Sequence, residues 1–339
     1  MGTNQIQLID QYDRRLNYLR ISITDRCNIQ CIYCMPRNGI SKLRHEDILT
    51  YEEILTYEEI LRLARIAISL GVDKIRLTGG EPLIRKGICE FIPRLTALAG
   101  LREVALTTNG IFLKEKLAKL KTGRIKRINI SLDSLHRDRY EKITGYDGLE
   151  LVLAGIKGAR EMGFNPVKIN MVVMEGVNDD EILDFARLSL EHPYHIRFIE
   201  YMPVSVTSSD IPLRHVPSSL IKEQLGKLGK LVPIPRDIHD GPAERFKFEE
   251  AHGEIGFISP LTHHFCPACN RLRLTSSGYL RPCLLSDQEV DLEGPMRNGA
   301  SDEDLAGIFL KTALTKPHSH HLTSKNSTHL SAKMSSIGG

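Results

Sequence analysis

The chain has 339 residues, 41% hydrophobic and 26% charged, which is enough for a sizeable core and long for one ordinary domain. Its 45 Lys and Arg against 42 Asp and Glu leave a formal charge of +3, too even for a general nucleic-acid binder; with 6% aromatic residues and no Trp there is little to stack on bases. No apolar run reaches the roughly 20 residues of a membrane helix, and the acid-bearing N-terminus lacks a secretory apolar core, so a soluble cytoplasmic protein with reduced thiols is expected.

Short apolar runs recur along the first two-thirds of the chain. They are YLRISIT (18–24), DKIRLT (73–78), EVALTT (103–108), RINISLD (127–133), VKINMVV (167–173) and HIRFIEYM (195–202). Amphipathic stretches separate them. In YEEILRLARIAISLG (57–71), Ile60, Leu63, Ala67 and Leu70 share one helical face, and Gly71 closes the helix. RDRYEKITG (137–145) and GLELVLAGIKGAREMG (148–163) are read the same way. Strands alternating with helices predict parallel βα units. Six units are two short of a closed barrel, so the predicted fold is α/β, a partial (β/α)6 barrel of TIM type over residues 1–203.

One oddity falls between the first two strands. ILTYEE stands twice in tandem, at 48–53 and 54–59, each copy with a capping box (Thr50/Glu53 and Thr56/Glu59). Six residues turn a helix by about 600°, so the copies present different faces. The second is expected to lead into the core-facing helix, and the first to be a surface extension.

From about residue 203 the texture changes. PVSVTSSDIPLRHVPSS (203–219) reads as a linker. A helix follows near 217–229, then short β pieces RFKFE (245–249) and GEIGFIS (253–259), a hairpin RLRLTSSGYLRPCL (271–284) and a last helix over 301–314. The His- and Ser-rich remainder has no apolar period and is read as a mobile tail. Residues 204–339 are thus expected to form a smaller α+β extension.

The predicted strands end in polar clusters: TDRC, TGGEP, TTNG, SLDS and EYMP. In a βα barrel, chemistry sits at these ends. Gly, Asn, Asp and Ser also make plain loops, but loops alone do not explain why cysteines gather at one of them. Six of the seven cysteines form two groups of three: C-x3-C-x2-C (Cys27, Cys31, Cys34) and C-x2-C-x13-C (Cys266, Cys269, Cys283). Cys89 is left over and reads as a buried small hydrophobe. A structural zinc site wants four ligands. His263 or His264 would have to complete the second group, and only the distant His45 is near the first. An iron–sulfur cube normally takes four thiolates too. Three leave one iron open for something that must react or be oriented, and two such sites suggest two ligands brought face to face.

C-x3-C-x2-C after the first barrel strand resembles the motif of the radical S-adenosylmethionine (SAM) enzymes. TGGEP (78–82) strengthens the likeness, its Gly79 and Gly80 allowing close backbone approach. CPACNRLRLTSSGYLRPCL (266–284), TTNG, SLDS and the terminal Gly338-Gly339 narrow it. From about Leu19 to its last glycines, the chain resembles the GTP 3′,8-cyclases of molybdenum cofactor biosynthesis.

That resemblance implies two [4Fe–4S] clusters with three cysteine ligands each, the second carried by the C-terminal extension. The N-terminal cluster binds SAM, lined by Tyr33, Gly80, Ser131 and Met202. A 5′-deoxyadenosyl radical takes hydrogen from C3′ of GTP, C3′ attacks C8, and the product is (8S)-3′,8-cyclo-7,8-dihydroguanosine 5′-triphosphate. The second cluster holds the purine. GTP is expected on Arg20, Arg76, Thr107, Lys168, Arg271, Leu272 and Arg273. Arg20, Arg271, Arg273, Gly338 and Gly339 are the expected catalytic residues, the two glycines entering the pocket with the tail. Taken singly, Arg76, Arg197 or Lys168 reads as a solvated charge; it is their convergence on strand ends that points to phosphate. His318, His320 and His321 are read as solvated tail. Implied partners are a low-potential electron donor and, by product hand-off, a cyclic pyranopterin monophosphate synthase; a homodimer is left open, and neither nucleic acid nor membrane is expected. The competing readings are a peptide-modifying radical enzyme, for which Arg271 and Arg273 lack a purpose, and a non-catalytic electron-transfer or zinc module, which leaves GGEP and the three-ligand sites unexplained.

Overall fold

The computed structural model describes residues 7–34, 54–203, 213–235, 241–320, 322 and 337. The six predicted strands form as β1 (Tyr18–Ser22), β2 (Lys74–Thr78), β3 (Glu103–Thr108), β4 (Arg127–Ser131), β5 (Val167–Val173) and β6 (Tyr194–Glu200). Between them run α1 (Tyr57–Ser69), α2 (Ile88–Thr96), α3 (Leu113–Thr122), α4 (Arg137–Thr144), α5 (Leu149–Glu161) and α6 (Ile182–Glu191). The later part adds α7 (Ser218–Leu225), β7 (Leu231–Pro233), β8 (Glu244–Phe248), β9 (Glu254–Ile258), β10 (Arg271–Leu274), β11 (Tyr279–Arg281), β12 (Val290–Asp291), α8 (Glu293–Arg297) and α9 (Asp302–Leu314).

Among the described residues all twelve strands share one sheet, in the order β12-β11-β10-β1-β2-β3-β4-β5-β6-β9-β8-β7. The hairpin at 271–284 forms as expected, β10 against β11. Its other edge is the surprise: β10 pairs parallel with β1, and β9 pairs parallel with β6. Two late strands therefore flank the early six and extend the parallel run to both sides.

Strand alternation sorts the side chains. Leu19 and Ile21 of β1, Ile75 and Leu77 of β2, Ile128 and Ile130 of β4 and Ile169 and Met171 of β5 are fully buried in the apolar core. Tyr18 and Arg20, Arg76 and Thr78, Thr107, Ser131, Asn170 and Arg197 point the other way and line a cavity.

The helix α1 starts where the second ILTYEE copy predicts. Thr56 caps it, accepting from Glu59 N at 3.2 Å, while the Glu59 carboxylate accepts from Thr56 N at 2.6 Å. Gly71, at φ +90°, follows its last turn. Ile60, Leu63 and Ala67 are fully buried, as the periodicity requires. The first copy lies outside the described residues, as does most of the expected linker. α7 is shorter than its predicted 217–229, because Gly226 ends it.

The expected tail needs correction where it is described. Lys316 and Leu322 are buried and Ile337 is 1% exposed. The physical reason is hydrogen bonding: Lys316 Nζ donates to the carbonyls of Arg271 (2.8 Å) and Pro282 (2.6 Å). Among the described residues, no helix is long and apolar enough to cross a membrane.

Candidate active site

The β1–α1 connection carries the first cysteine group, and its shape is set by its neighbour. Backbone bonds from Ile23 N to Thr78 O (3.1 Å), Gly80 N to Thr24 O (2.8 Å) and Glu81 N to Arg26 O (2.7 Å) lay the TGGEP segment against it. A Cβ on Gly79 (φ +150°) would stand 2.4 Å from the Thr24 carbonyl, and one on Gly80 would stand 2.1 Å from that of Arg26. Backbone approaches backbone here, so glycine is the residue that fits. The close approach read from sequence is thus made first of all to the cysteine loop itself.

Four side chains to which the motifs assign no role hold the strand ends together. The buried Glu81 carboxylate accepts from Leu83 N (2.9 Å), Thr108 Oγ1 (2.8 Å) and Asn109 N (2.7 Å), and burial pushes it up to about 7. Asn109 Nδ2 donates to Asn28 Oδ1 at 2.8 Å and lies 3.9 Å from the Cys27 sulfur. Asp133 accepts from Tyr33 OH (2.7 Å) and Val172 N (2.8 Å), and burial pushes it up to about 6. Glu200 accepts from Ser218 N, Leu261 N and Thr262 N, each at 3.1 Å, tying the end of β6 to the approach to the second cysteine group. All four stand in the strand-end clusters TGGEP, TTNG, SLDS and EYMP. The signal was present, and the roles needed the fold.

All six cysteines of the two groups line one cavity of about 310 Å³. Arg20, Tyr33, Arg76, Gly80, Thr107, Ser131, Met202, Arg271 and Arg273 line it too. Lys168 is buried beside it, close enough to feel the charges of Arg197 and Arg76. Leu272 lies between the two hairpin arginines and, by alternation, packs its side chain into the apolar core. Gly338 and Gly339 lie outside the described residues. Their neighbour Ile337 reaches the site, its carbonyl accepting from Arg273 Nη1 at 3.3 Å.

Register gives the cavity its charge. Arg20 on β1 stands opposite Arg273 of β10 on one side and Arg76 of β2 on the other. Like charges directly opposite each other repel. Burial first, then Arg273, Arg76 and Arg271, holds Arg20 well below its ordinary value. Burial and Arg271 bring Arg273 down to about 9. Burial and the surrounding Arg197, Arg127, Arg76 and Lys74 bring Lys168 down to about 5. Buried donors round the cavity also lack hydrogen-bond partners: Tyr18 OH, Arg76 Nε, Thr78 Oγ1 and Thr107 Oγ1. Such a surface is complementary to a polyanion with many acceptor oxygens.

The sulfurs fit iron–sulfur chemistry better than a single ion. Among the described residues, neither cysteine group brings its three sulfurs close enough to share one metal ion, whereas on a cube each binds a different iron. Burial pushes Cys27 up to about 11 and Cys34 to about 12. Cys31 is raised well above its ordinary value, first by burial and then by Asp133 and the other two thiols. Thiols of this kind ionise when bound metal supplies the positive charge. In the second group burial alone would raise Cys269, but Arg271 and Lys316 outweigh it and bring it to about 6. Arg14, ion-paired to Asp10 at 2.6 Å, donates to the carbonyls of Cys266 (2.7 Å), Pro317 (2.7 Å) and His318 (3.1 Å). Arg14 and Lys316 thus frame this group, and neither is marked by any local pattern.

Comparison with known proteins decides the family. The Radical SAM superfamily profile matches residues 21–189 and the Molybdenum Cofactor Synthesis C profile matches 194–322. The GTP 3′,8-cyclase of Moorella thermoacetica is 48% identical over 97% of this chain and 99% of its own length. That of Geobacter sulfurreducens is 44% identical over 98% of this chain and 100% of its own. The chain belongs to the GTP 3′,8-cyclase family. It is a radical SAM enzyme of molybdenum cofactor synthesis, and this membership implies a [4Fe–4S] cluster and SAM. Among solved structures, Streptococcus suis SuiB bound to S-adenosylmethionine superposes with a TM-score of 0.57 at 14% identity, covering 88% of this chain and 69% of that one. Native anSMEcpe with bound AdoMet gives 0.54 at 12%, covering 89% and 81%. At such identities the likeness is one of fold, a mixed α/β architecture shared with radical SAM enzymes.

Proposed function

We propose that this chain converts GTP to (8S)-3′,8-cyclo-7,8-dihydroguanosine 5′-triphosphate in the cavity between its two cysteine groups. The observation that carries the reading is the common lining of that cavity by both groups and by the in-register arginines of β10, β1 and β2. Cys27, Cys31 and Cys34 hold the cluster that binds SAM. Cys266, Cys269 and Cys283 hold a second [4Fe–4S] cluster facing the purine. When bound, the first cluster and SAM supply the carbon-centred radical that removes a hydrogen from the ribose.

The protein's own part is binding and orientation. Tyr33, Gly80, Ser131 and Met202 border the SAM site, with Asp133 fixing the Tyr33 hydroxyl. Arg20, Arg76, Lys168, Arg271 and Arg273 take the triphosphate, Thr107 adds a hydroxyl, and Leu272 contributes through its backbone. Arg20, Arg271 and Arg273 also hold GTP in its reacting pose; Gly338 and Gly339, which lie outside the described residues, are assigned to the pocket by the family resemblance alone. The fold is read as a partial (β/α)6 barrel over 1–203 with an α+β extension over 204–339. A cytoplasmic setting, a low-potential electron donor, hand-off to a cyclic pyranopterin monophosphate synthase and room for a homodimer complete the proposal.

The test is anaerobic reconstitution with iron and sulfide, then SAM, a strong reductant, and GTP present or absent. GTP-dependent release of 5′-deoxyadenosine with GTP consumed in step is expected. Cleavage of SAM indifferent to GTP would leave a radical SAM enzyme with another substrate.

A further inference from the structure

The segment after α9 brings a second histidine to the C-terminal cysteine group. His264 Nδ1 and His320 Nε2 stand 3.2 Å apart, with the rings edge to face at 4.7 Å. The backbone N–H of His320 donates to the Cys266 sulfur. One ligand atom from each of His264, Cys266 and His320 falls within 4.8 Å of the other two. Bound to one tetrahedral zinc, two imidazole nitrogens stand about 3.3 Å apart and a nitrogen and a thiolate about 3.5 Å. The two rings are already at that spacing.

The site is held in place rather than gathered by chance. Arg14 grips the carbonyls of Cys266, Pro317 and His318, and Lys316 grips those of Arg271 and Pro282. Arg14 thereby ties together the two stretches of chain that supply ligands, and Lys316 ties the second of them to the β10–β11 hairpin. His264 Nδ1 also lies 3.1 Å from the Pro260 carbonyl, which helps hold the ring where it stands.

We propose that His264, Cys266 and His320 form a mononuclear site for a thiophilic divalent metal such as zinc, filled while the C-terminal group lacks its cluster. Two nitrogens and one thiolate leave a fourth position open to water. Cys266 serves both sites, so metal and cluster exclude each other. That exclusion rests on the second cluster proposed above; the metal site itself does not. It gives the cluster-free protein a way to keep Cys266 ligated and the segment around it in place.

Cobalt(II) is the probe, added anaerobically to cluster-free full-length protein in which Cys27, Cys31 and Cys34 are alanine. One equivalent is expected to give a thiolate-to-cobalt charge-transfer band with tetrahedral ligand-field bands. Adding Cys283→Ala should leave both in place, because Cys283 is no part of this site. Adding His264→Ala or His320→Ala should remove them, while the same variants still take up one cluster's iron on reconstitution and so are folded. Loss of the bands in Cys283→Ala, or their survival in both histidine variants, would mean that the cysteine group binds the ion, and would overturn the proposal. If the background protein takes up no cluster at all, the second-cluster reading fails, and the cobalt result still decides the site.

Discussion

Arg20 stands between two like charges, Arg273 and Arg76 in register. Removing its charge relieves the ligand-free fold and harms anion binding, so the two effects part company. Arg20→Met should leave the urea midpoint of the cluster-free protein unchanged or raised, since a buried charge replaced by an apolar group of similar volume is often neutral or stabilising by about 1–4 kcal/mol. GTP affinity should fall about 10–100-fold by calorimetry, the worth of a charge-assisted pair. Equal loss of both would make Arg20 structural. Glu81 is the opposite case: Glu81→Gln turns an NH2 toward one of three donors it now accepts, and should lower unfolding stability by about 1–3 kcal/mol. At this scale the sequence was partly legible. Period-two spacing put Arg271 and Arg273 on one face, and the cysteine spacings picked out two groups. The roles of Glu81 and Asp133 were hidden because, Leu83 apart, their partners are 27 to 100 residues away. His320 was hidden likewise, since its neighbours are 54 and 56 residues earlier.

The strands β5, β6 and β9 carry a titrating row, Lys168 opposite His195 opposite Glu254. Burial pushes the His195 imidazole down to about 4, against support from Glu254, with Lys168, Arg197 and Arg245 adding to the depression. The unfolded chain takes up this proton near 6.5 and the folded chain only near 4, so stability is lost as pH falls through that window. Glu81 and Asp133 tilt the other way: raised to about 7 and about 6, they keep protons that the unfolded chain releases, and cost stability as pH rises. The difference between His195→Gln and the parent isolates the first effect. Between about pH 7 and about pH 5 the parent should lose about 1–2 kcal/mol more than the variant in urea unfolding; parallel losses would rule out a neutral buried imidazole. Elements were largely readable from periodicity and caps: six strands, α1 with its Thr56 box, and the 271–284 hairpin. Which edge that hairpin would join was not, because its own alternation is the same whether β10 ends a separate sheet or continues this one.

Across the whole molecule, a formal charge of +3 conceals a lopsided arrangement, with arginines and Lys168 turned inward round one cavity. An unreactive polyanion should therefore act as a folding ligand. Inorganic tripolyphosphate at about 100 times its dissociation constant should stabilise the cluster-free protein by about 2.7 kcal/mol, and the gain should shrink in Arg20→Met. No rise in melting temperature with tripolyphosphate would leave the cationic lining without an anion to answer it. The frame around the second cysteine group has a different consequence, one of timing. Arg14 meets Cys266 across 252 residues and Pro317 across 303. During synthesis, β1 and Cys27 to Cys34 leave the ribosome with the first part of the chain, while β10 and Lys316 come nearly last. A nascent chain thus exposes the open edge of β1 and an unfinished cysteine frame for most of its translation, and the N-terminal cysteine group is complete well before the C-terminal one has been made.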